Sequence, residues 1–256
     1  MRSWLDWVCL LAIGLSVSLM LALLVVQVAY TGGGEPLRAL AERDCYRAMW
    51  LSFYTATIAG LAALVLAVPT GYALARWRFR AMWLIEAFLL IPVIMSPMAL
   101  GVALLLIFRD PPGLWLARWF VFEVPGIILA QFVVAYAFAV LIIRTTFAGI
   151  DVRLEQVARF LGCTPWQAFR RVTLPLAFNG IVAGFVLGWA RSLGDFGATS
   201  TLAGAVKGKT ETVPVFIYMN LASVSIERAV AASIVLTLVT VLVLVAVRLL
   251  LGGRRT

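Results

Sequence analysis

The sequence predicts an all-α integral membrane protein with six transmembrane helices and a polar helical hairpin between the fourth and the fifth. Its composition, 63% hydrophobic and 13% charged residues over 256 positions, excludes an ordinary soluble domain. Six apolar runs are each long enough to cross about 30 Å of hydrocarbon. Because lipid offers no partner to a bare amide, we expect each run to be a helix. The alternating pattern of a membrane barrel is missing.

The spans are expected at residues 8–29, 53–75, 82–108, 124–143, 176–193 and 229–247. The first run is longer than the apolar core of a secretory leader, which has about 7 to 15 residues, and Asp6 stands where a leader would be basic. We therefore expect a retained helix. Residues 1–256 are predicted to form a single transmembrane domain.

The third span contains residues that interrupt a helix. Pro92, Ser96, Pro97 and Gly101 fall near its middle, where freed carbonyl groups need partners from protein or water. A helix that lines a pathway tolerates such a break. A kink that serves packing alone is the alternative, and both stay open.

The fifth span carries a face of small residues. Gly180, Gly184 and Gly188 recur every four positions, which permits a close approach of another backbone. The neighbour is either a second copy of the chain at a twofold axis or a helix of the same chain.

The formal charge of +9 indicates sidedness. If the N-terminus is inside, Lys and Arg are somewhat more frequent in the inner segments than in the outer ones, in the direction of the positive-inside rule. Both termini and the hairpin, residues 150–175, are then cytoplasmic, and residues 194–228 form an outer loop. The basic residues border the spans instead of forming one groove, so no nucleic-acid partner is expected.

Several kinds of chemistry are not expected. The chain has no histidine, which removes the commonest zinc ligand and proton relay. Glu86 lies near the inner end of the third span, whereas cation-coupled carriers place acids at mid-membrane; we expect it to pair with an arginine among residues 76–80. Residues 203–210, AGAVKGKT, match a relaxed phosphate loop without the required strand and helix. We predict no catalytic residue, metal, cofactor or nucleotide.

The hairpin consists of two short helices. Apolar residues follow helical spacing over 154–161, and Gly162 suits the left-handed turn that ends a helix. Thr164 then offers an N-cap oxygen, Pro165 fits the first turn, and Gln167 stands where a capping-box side chain reaches back. An interfacial helix pair on lipid headgroups would explain the amphipathic pattern but not the combined spacing of Gly162, Leu174 and Pro175.

That spacing resembles the coupling loop of ABC importer permeases, Glu-Ala-Ala, three residues, Gly, nine residues, Ile-x-Leu-Pro. The chain departs from it at Gln156 and Val157, with Glu155 placing a carboxylate one position earlier. The resemblance implies contacts with an ATPase. They are expected at Glu155, Gln156, Ala158, Gly162, Thr164, Pro165, Leu174 and Pro175.

The segment after the fifth span suits a passing oxyanion. Arg191 and Asp195 stand four apart and are expected to pair, and the hydroxyls and amides around them can solvate an anion weakly. A helix end with ordinary turn chemistry is the alternative. Residues 189–199, 203–204 and 208–214 resemble molybdate and tungstate permeases, where the acid is usually Glu, and sulfate permeases more distantly. The implied path residues are Ser96, Gly188, Arg191, Ser192, Asp195 and Thr199.

The resemblance implies a non-enzymatic permease subunit in the inner membrane. It would form a homodimer and work with two ABC ATPase subunits and an extracytoplasmic oxyanion-binding protein. The expected function is import of molybdate or tungstate, with sulfate as the alternative. A gradient-driven carrier and a scaffolding membrane protein without an ATPase are the other classes left open.

Overall fold

The computed structural model describes residues 4–30, 42–77 and 80–252. In these residues all regular secondary structure is helical and there is no strand, which confirms the predicted class. The helices are α1 Trp4–Tyr30, α2 Arg43–Arg76, α3 Met82–Leu89, α4 Ile91–Ile94, α5 Pro97–Ile107, α6 Gly113–Phe120, α7 Val124–Ala148, α8 Val152–Phe160, α9 Pro165–Ala168, α10 Leu174–Leu193, α11 Gly197–Ala203, α12 Val213–Ala222 and α13 Ile226–Gly252. A π-helical turn, Phe169–Thr173, joins α9 to α10.

Five continuous helical segments in the described chain are long and apolar enough to span a membrane: Asp6–Gln27, Arg43–Arg76, Val124–Ala148, Pro165–Leu193 and Ile226–Val247. The third predicted span is instead divided into α3, α4 and α5. The helix ends at Leu90 and again at Met95–Ser96. Pro92 and Pro97 occupy the first turns of α4 and α5, where a missing N–H costs nothing. The predicted interruption is therefore confirmed.

The core is built by α2, α7 and α10. A stripe of alanines on α2, including Ala56, Ala59 and Ala63, is fully buried, so neighbouring backbones approach closely. α2 and α7 both run toward the hairpin, and α10 runs away from it. The end of the molecule that carries the hairpin is called the hairpin end, and the opposite one the far end.

The glycine face of the fifth span packs within one chain. A β-carbon on Gly180 would lie 2.1 Å from Thr146 Oγ1 of α7, and one on Gly188 would lie 2.8 Å from the Ala135 carbonyl oxygen. The alternative that placed this face at a twofold axis is wrong, because α7 occupies the space that a second copy would need.

The far end holds the ion pairs Lys207–Asp44, Lys209–Glu123 and Arg228–Glu42. Residues 194–228, predicted as an outer loop, fold back against the bundle as α11 and α12. Their apolar side chains explain this packing: Ala198 and Leu202 of α11 join a buried cluster with residues of α5 and α7.

Glu86 forms an ion pair with Arg144 at the end of α7. The expected partner was an arginine among residues 76–80, and that prediction is corrected. Arg76 is engaged elsewhere, by Glu155 of the hairpin, and α7 brings the guanidinium of Arg144 to the Glu86 carboxylate instead.

Candidate coupling site and substrate path

The first helix of the hairpin, α8, has defined ends. Asp151 caps it by accepting a hydrogen bond from the Arg153 N–H at 2.9 Å. The turn after the helix reaches Gly162, whose φ of +91° lies in the left-handed region that favours glycine. A β-carbon there would meet no atom within 4 Å. The predicted turn is thus present, and glycine is needed for backbone conformation rather than for space.

The second helix begins with the predicted capping box. Gln167 N–H donates to Thr164 Oγ1 at 3.3 Å, and Thr164 N–H donates to Gln167 Oε1 at 2.9 Å. Pro165 occupies the first turn of α9. Two donors that a helix start leaves free are satisfied locally, which fixes the start of α9.

The hairpin presents large apolar side chains to its surroundings. Phe160 is 90% exposed, Leu161 82% and Trp166 66%. A groove of about 600 Å³ beside them is lined by Gln156, Arg159, Phe160, Cys163 and Pro165. Exposed apolar groups next to polar ones, on a rigid support, are typical of a protein-binding surface.

Glu155 lies on the opposite side of α8 and is engaged within the chain. Its Oε1 accepts from Arg76 Nη2 at 2.8 Å, from Arg76 Nε at 3.0 Å and from Thr173 Oγ1 at 2.8 Å. Its Oε2 accepts from Tyr72 Oη at 2.9 Å. Burial raises the pKa of Glu155, but the hydrogen bonds from Thr173, Tyr72 and Arg76 outweigh it and lower the pKa below its ordinary value.

The predicted coupling residues therefore differ in exposure. Ala158 and Leu174 are half-buried like Glu155, and Leu174 packs against the buried cluster at the hairpin end. The exposed members are Gln156, Gly162, Thr164, Pro165 and Pro175.

Four of the six predicted path residues, Gly188, Ser192, Asp195 and Thr199, are buried in the chain. Asp195 Oδ2 accepts from Thr199 N–H at 2.9 Å and from Thr199 Oγ1 at 3.0 Å. Asp195, one residue before the N-cap Phe196, thus accepts from donors in the first turn of α11, which is the turn chemistry that stood as the alternative. Arg191 Nη1 lies 4.0 Å from Asp195 Oδ1, the outer limit of an ion pair.

Ser96 and Arg191 are the accessible path residues. Ser96 is exposed in the break before α5, and the side chain of Arg191 is 36% exposed. The break also meets the start of α11, because a β-carbon on Gly197 would lie 2.7 Å from Pro97 Cβ and 2.8 Å from Met98 N. The break before α5 and the turn before α11 therefore lie side by side.

Comparison with known proteins decides the family. Residues 63–255 match the binding-protein-dependent transport system inner membrane component family. The chain belongs to this family of ABC importer permeases. A chain of a bacterial ABC transporter involved in the import of the acidic polysaccharide alginate has the same fold, with a TM-score of 0.76 and 15% identity over 98% of this chain and 97% of that one.

Several named permeases are similar in sequence. The molybdenum transport system permease ModB of Haemophilus influenzae is 36% identical over 75% of this chain and 88% of its own length. The sulfate transport system permease CysW of Synechocystis is 32% identical over 90% of this chain and 85% of its own length. The probable transport system permease NifC of Clostridium pasteurianum is 31% identical over 88% and 81%.

Sequence reasoning missed the residues that hold the hairpin of this permease. Tyr72 and Arg76 stand one helical turn apart at the end of α2, and Thr173 lies in the π-helical turn. From the sequence, Arg76 is expected as a sign of sidedness and as a candidate partner of Glu86, but not as a partner of Glu155. The available signal was a hydroxyl and a guanidinium on one helix face beside the expected position of a carboxylate.

Gln131 of α7 was also missed. Its side chain is fully buried, and neither polar atom has a hydrogen-bond partner within the described part of the permease. Gly184 and Gly188 of α10 face Ala139 and Ala135. Gln131 lies one helical turn before Ala135 on the buried face of α7.

In the segment that matches a phosphate loop, backbone N–H groups donate to side chains of the same segment. Thr210 Oγ1 accepts from the Val206 N–H at 3.1 Å, and Glu211 Oε2 accepts from the Gly208 N–H at 3.3 Å. These amides are occupied within the loop. A cradle for phosphate needs such groups free and directed at the ligand.

Proposed function

We propose that this permease is the membrane subunit of an ATP-driven importer for a tetrahedral oxyanion, molybdate or tungstate first, with sulfate as the alternative substrate. The observation that carries the proposal is the capped hairpin, which exposes Phe160, Leu161 and Trp166 on a rigid support. The similarity to ModB permeases favours molybdate, and the similarity to CysW keeps sulfate as the second candidate.

The partners follow from this assignment. An ABC ATPase would bind the exposed side of the hairpin, with Gln156, Gly162, Thr164 and Pro165 in or beside the contact. Two permease copies would enclose one path, and each would bind one ATPase. Both termini and the hairpin end would be cytoplasmic. An extracytoplasmic oxyanion-binding protein would dock at the far end, where Lys207 and Lys209 are exposed.

The path would pass the break before α5. Ser96 offers an accessible hydroxyl in this break, and Arg191, in the last turn of α10, offers an accessible guanidinium. A small number of weak hydrogen-bond donors can solvate an anion without trapping it. Gly188, Ser192, Asp195 and Thr199 would shape the path from behind, because they hold α10 and α11 in place without reaching its surface.

ATP binding would close the two ATPases and move the hairpins toward each other. The movement would reorient the helices and change the side of the membrane to which the path is open. The permease itself hydrolyses nothing, and the binding protein would supply most of the selectivity. The chemistry therefore lies in the partners, and this chain converts their movement into alternating access.

Reconstitution tests the proposal. The permease, its ATPase and the loaded binding protein are placed in liposomes, and uptake of labelled molybdate, tungstate and sulfate is measured with and without ATP. We expect ATP-dependent uptake of molybdate or tungstate. Uptake that needs no ATP would indicate a carrier, and no uptake with no bound ATPase would indicate a scaffold.

A matched pair of variants tests the docking surface. Phe160→Ser should abolish co-purification with the ATPase, because it removes the most exposed ring of the hairpin. Phe88→Ser is the control, since Phe88 is also well exposed but lies on α3. Equal loss in both variants, or in neither, would contradict docking through the hairpin.

A further inference from the structure

The hairpin is joined to the transmembrane bundle through one carboxylate. We propose that Glu155 is a positioning residue that ties α8 to the end of α2, so that movement of the hairpin is transmitted to α2 through the Glu155–Arg76 pair. This rests on the proposed function, since it specifies how the force of an ATPase would enter the bundle. It assigns Glu155 to the inside of the permease rather than to the ATPase contact.

The pair joins separate parts of the chain. Arg76 of α2 donates twice to Glu155 Oε1 and also to the Ile150 carbonyl oxygen at 3.0 Å, just before α8. Thr173, before α10, donates to the same carboxylate oxygen. One ion pair thus connects α2, both ends of the hairpin and the start of α10. A displacement of α8 cannot occur without moving Arg76 or breaking these bonds.

Apolar packing holds α8 only weakly. No residue of Val152–Phe160 is buried, and Leu154 and Val157 are about half exposed. Most core-forming contacts at this end are made by other segments, including Phe147 and Ile143 of α7. The hold on α8 therefore comes chiefly from the polar contacts of Glu155.

The surroundings make the pair strong. The side chains of Arg76 and Glu155 are only 8% and 13% exposed, and charge-assisted hydrogen bonds with little competing water are stronger than neutral ones. The Tyr72 ring packs edge-on against Phe147 and Phe169, with ring centroids 5.5 and 4.7 Å apart. This aromatic wall shields the carboxylate and fixes the hydroxyl that binds its second oxygen.

A residue that contacts the ATPase directly would behave differently. If Glu155 bound the ATPase itself, its loss would weaken assembly and Arg76 would be irrelevant. If Glu155 and Arg76 act as a unit, removal of either side chain should leave the ATPase bound but uncouple ATP hydrolysis from transport. The two losses should also be non-additive, because the second removes an interaction already broken.

The experiment uses the reconstituted complex of permease, ATPase and molybdate-loaded binding protein. It compares Glu155→Gln, Arg76→Gln, the double variant and the control Arg153→Gln, whose side chain is exposed on the same helix. Assembly, ATP hydrolysis and uptake are measured together. We expect normal assembly in all, and a ratio of uptake to hydrolysis that falls about fivefold or more in each single variant. The ratio of the double variant should fall no further, and the ratio of Arg153→Gln should not fall.

Exchange of the two charges between positions 155 and 76 is the most stringent part of the experiment. Glu155→Arg combined with Arg76→Glu restores the opposite charges, and it should recover part of the ratio that each reversal alone loses. Three outcomes would overturn the assignment. They are additive decreases of the ratio in the double variant, a normal ratio in the single variants, and loss of ATPase binding by Glu155→Gln alone. If the carboxylate variants do not accumulate, Tyr72→Phe removes one hydroxyl, and a ratio unchanged by it would overturn the assignment too. Failure of the proposed function itself would be evident as a native complex without ATP-dependent uptake.

Discussion

Gly188 of α10 and Ala135 of α7 are in backbone contact: a β-carbon on the glycine would lie 2.8 Å from the Ala135 carbonyl oxygen. Backbone cannot yield as a flexible side chain does, so Gly188→Val should force α10 away from α7. Overpacking of this kind costs about 1–3 kcal/mol. We expect a clearly lower thermal midpoint for the detergent-solubilised permease. Gly194→Ala is the control, since its β-carbon would meet nothing closer than 3.8 Å, and equal stability of the two variants would contradict the contact.

The turn of the hairpin should respond to backbone conformation alone. At a φ of +91°, a β-branched residue is strained by about 1–3 kcal/mol, although Gly162 has free space around it. Gly162→Val should therefore lower co-purification of the ATPase while the bundle melts normally. Gly162→Asn should be milder, because asparagine tolerates positive φ. Gly149→Ala is a negative-φ control; a loss of ATPase binding as large in that variant would exclude this explanation.

Local signals in the sequence were sufficient for the helical class and for the hairpin. Gly162, Thr164, Pro165 and Gln167 act within a few positions of one another, so their pattern predicts the turn and the cap directly. Proline has an equally local effect, and for that reason the break in the third span was predictable. The outline of the fold follows from such rules.

Contacts between distant positions were not predictable in the same way. Arg76 and Glu155 are 79 positions apart, and the sequence around either residue does not predict the other as its partner. The glycine face of α10 likewise indicates a close neighbour without identifying it, and α7 is that neighbour. The hydroxyls around Asp195 suited both an anion path and a helix cap. Only the fold brings Thr199 to the carboxylate.

The buried amide of Gln131 should cost stability. A polar group that is buried without a hydrogen bond costs about 1–3 kcal/mol, and neither polar atom of Gln131 has a partner in the described chain. Gln131→Leu should therefore keep or raise the thermal midpoint. Ser52→Ala provides the contrast: Ser52 Oγ accepts from the Val213 N–H at 2.8 Å, and its removal should lower the midpoint. A large loss of stability in Gln131→Leu would show that the amide is satisfied after all.

The stability supplied by Glu155 should depend on pH with a defined sign. The folded-state pKa of this carboxyl is lowered from the ordinary value of 4.5, after the hydrogen bonds from Thr173, Tyr72 and Arg76 have outweighed the effect of burial. The charged form is thus favoured by folding. Its contribution is fully present above the ordinary pKa and is lost as the pH falls through the lowered one.

Thermal unfolding of the native permease and of Glu155→Gln across that range tests the sign. Glutamine keeps the shape of the side chain but has no charge to lose, so it removes the titration while other groups titrate in both proteins. The native protein should melt at the higher temperature at neutral pH, and the difference should shrink on acidification below about pH 4. A difference in melting temperature that widens in acid would contradict this sign. It would mean that Arg76 binds the neutral carboxyl, whereas a guanidinium that is always charged favours the carboxylate.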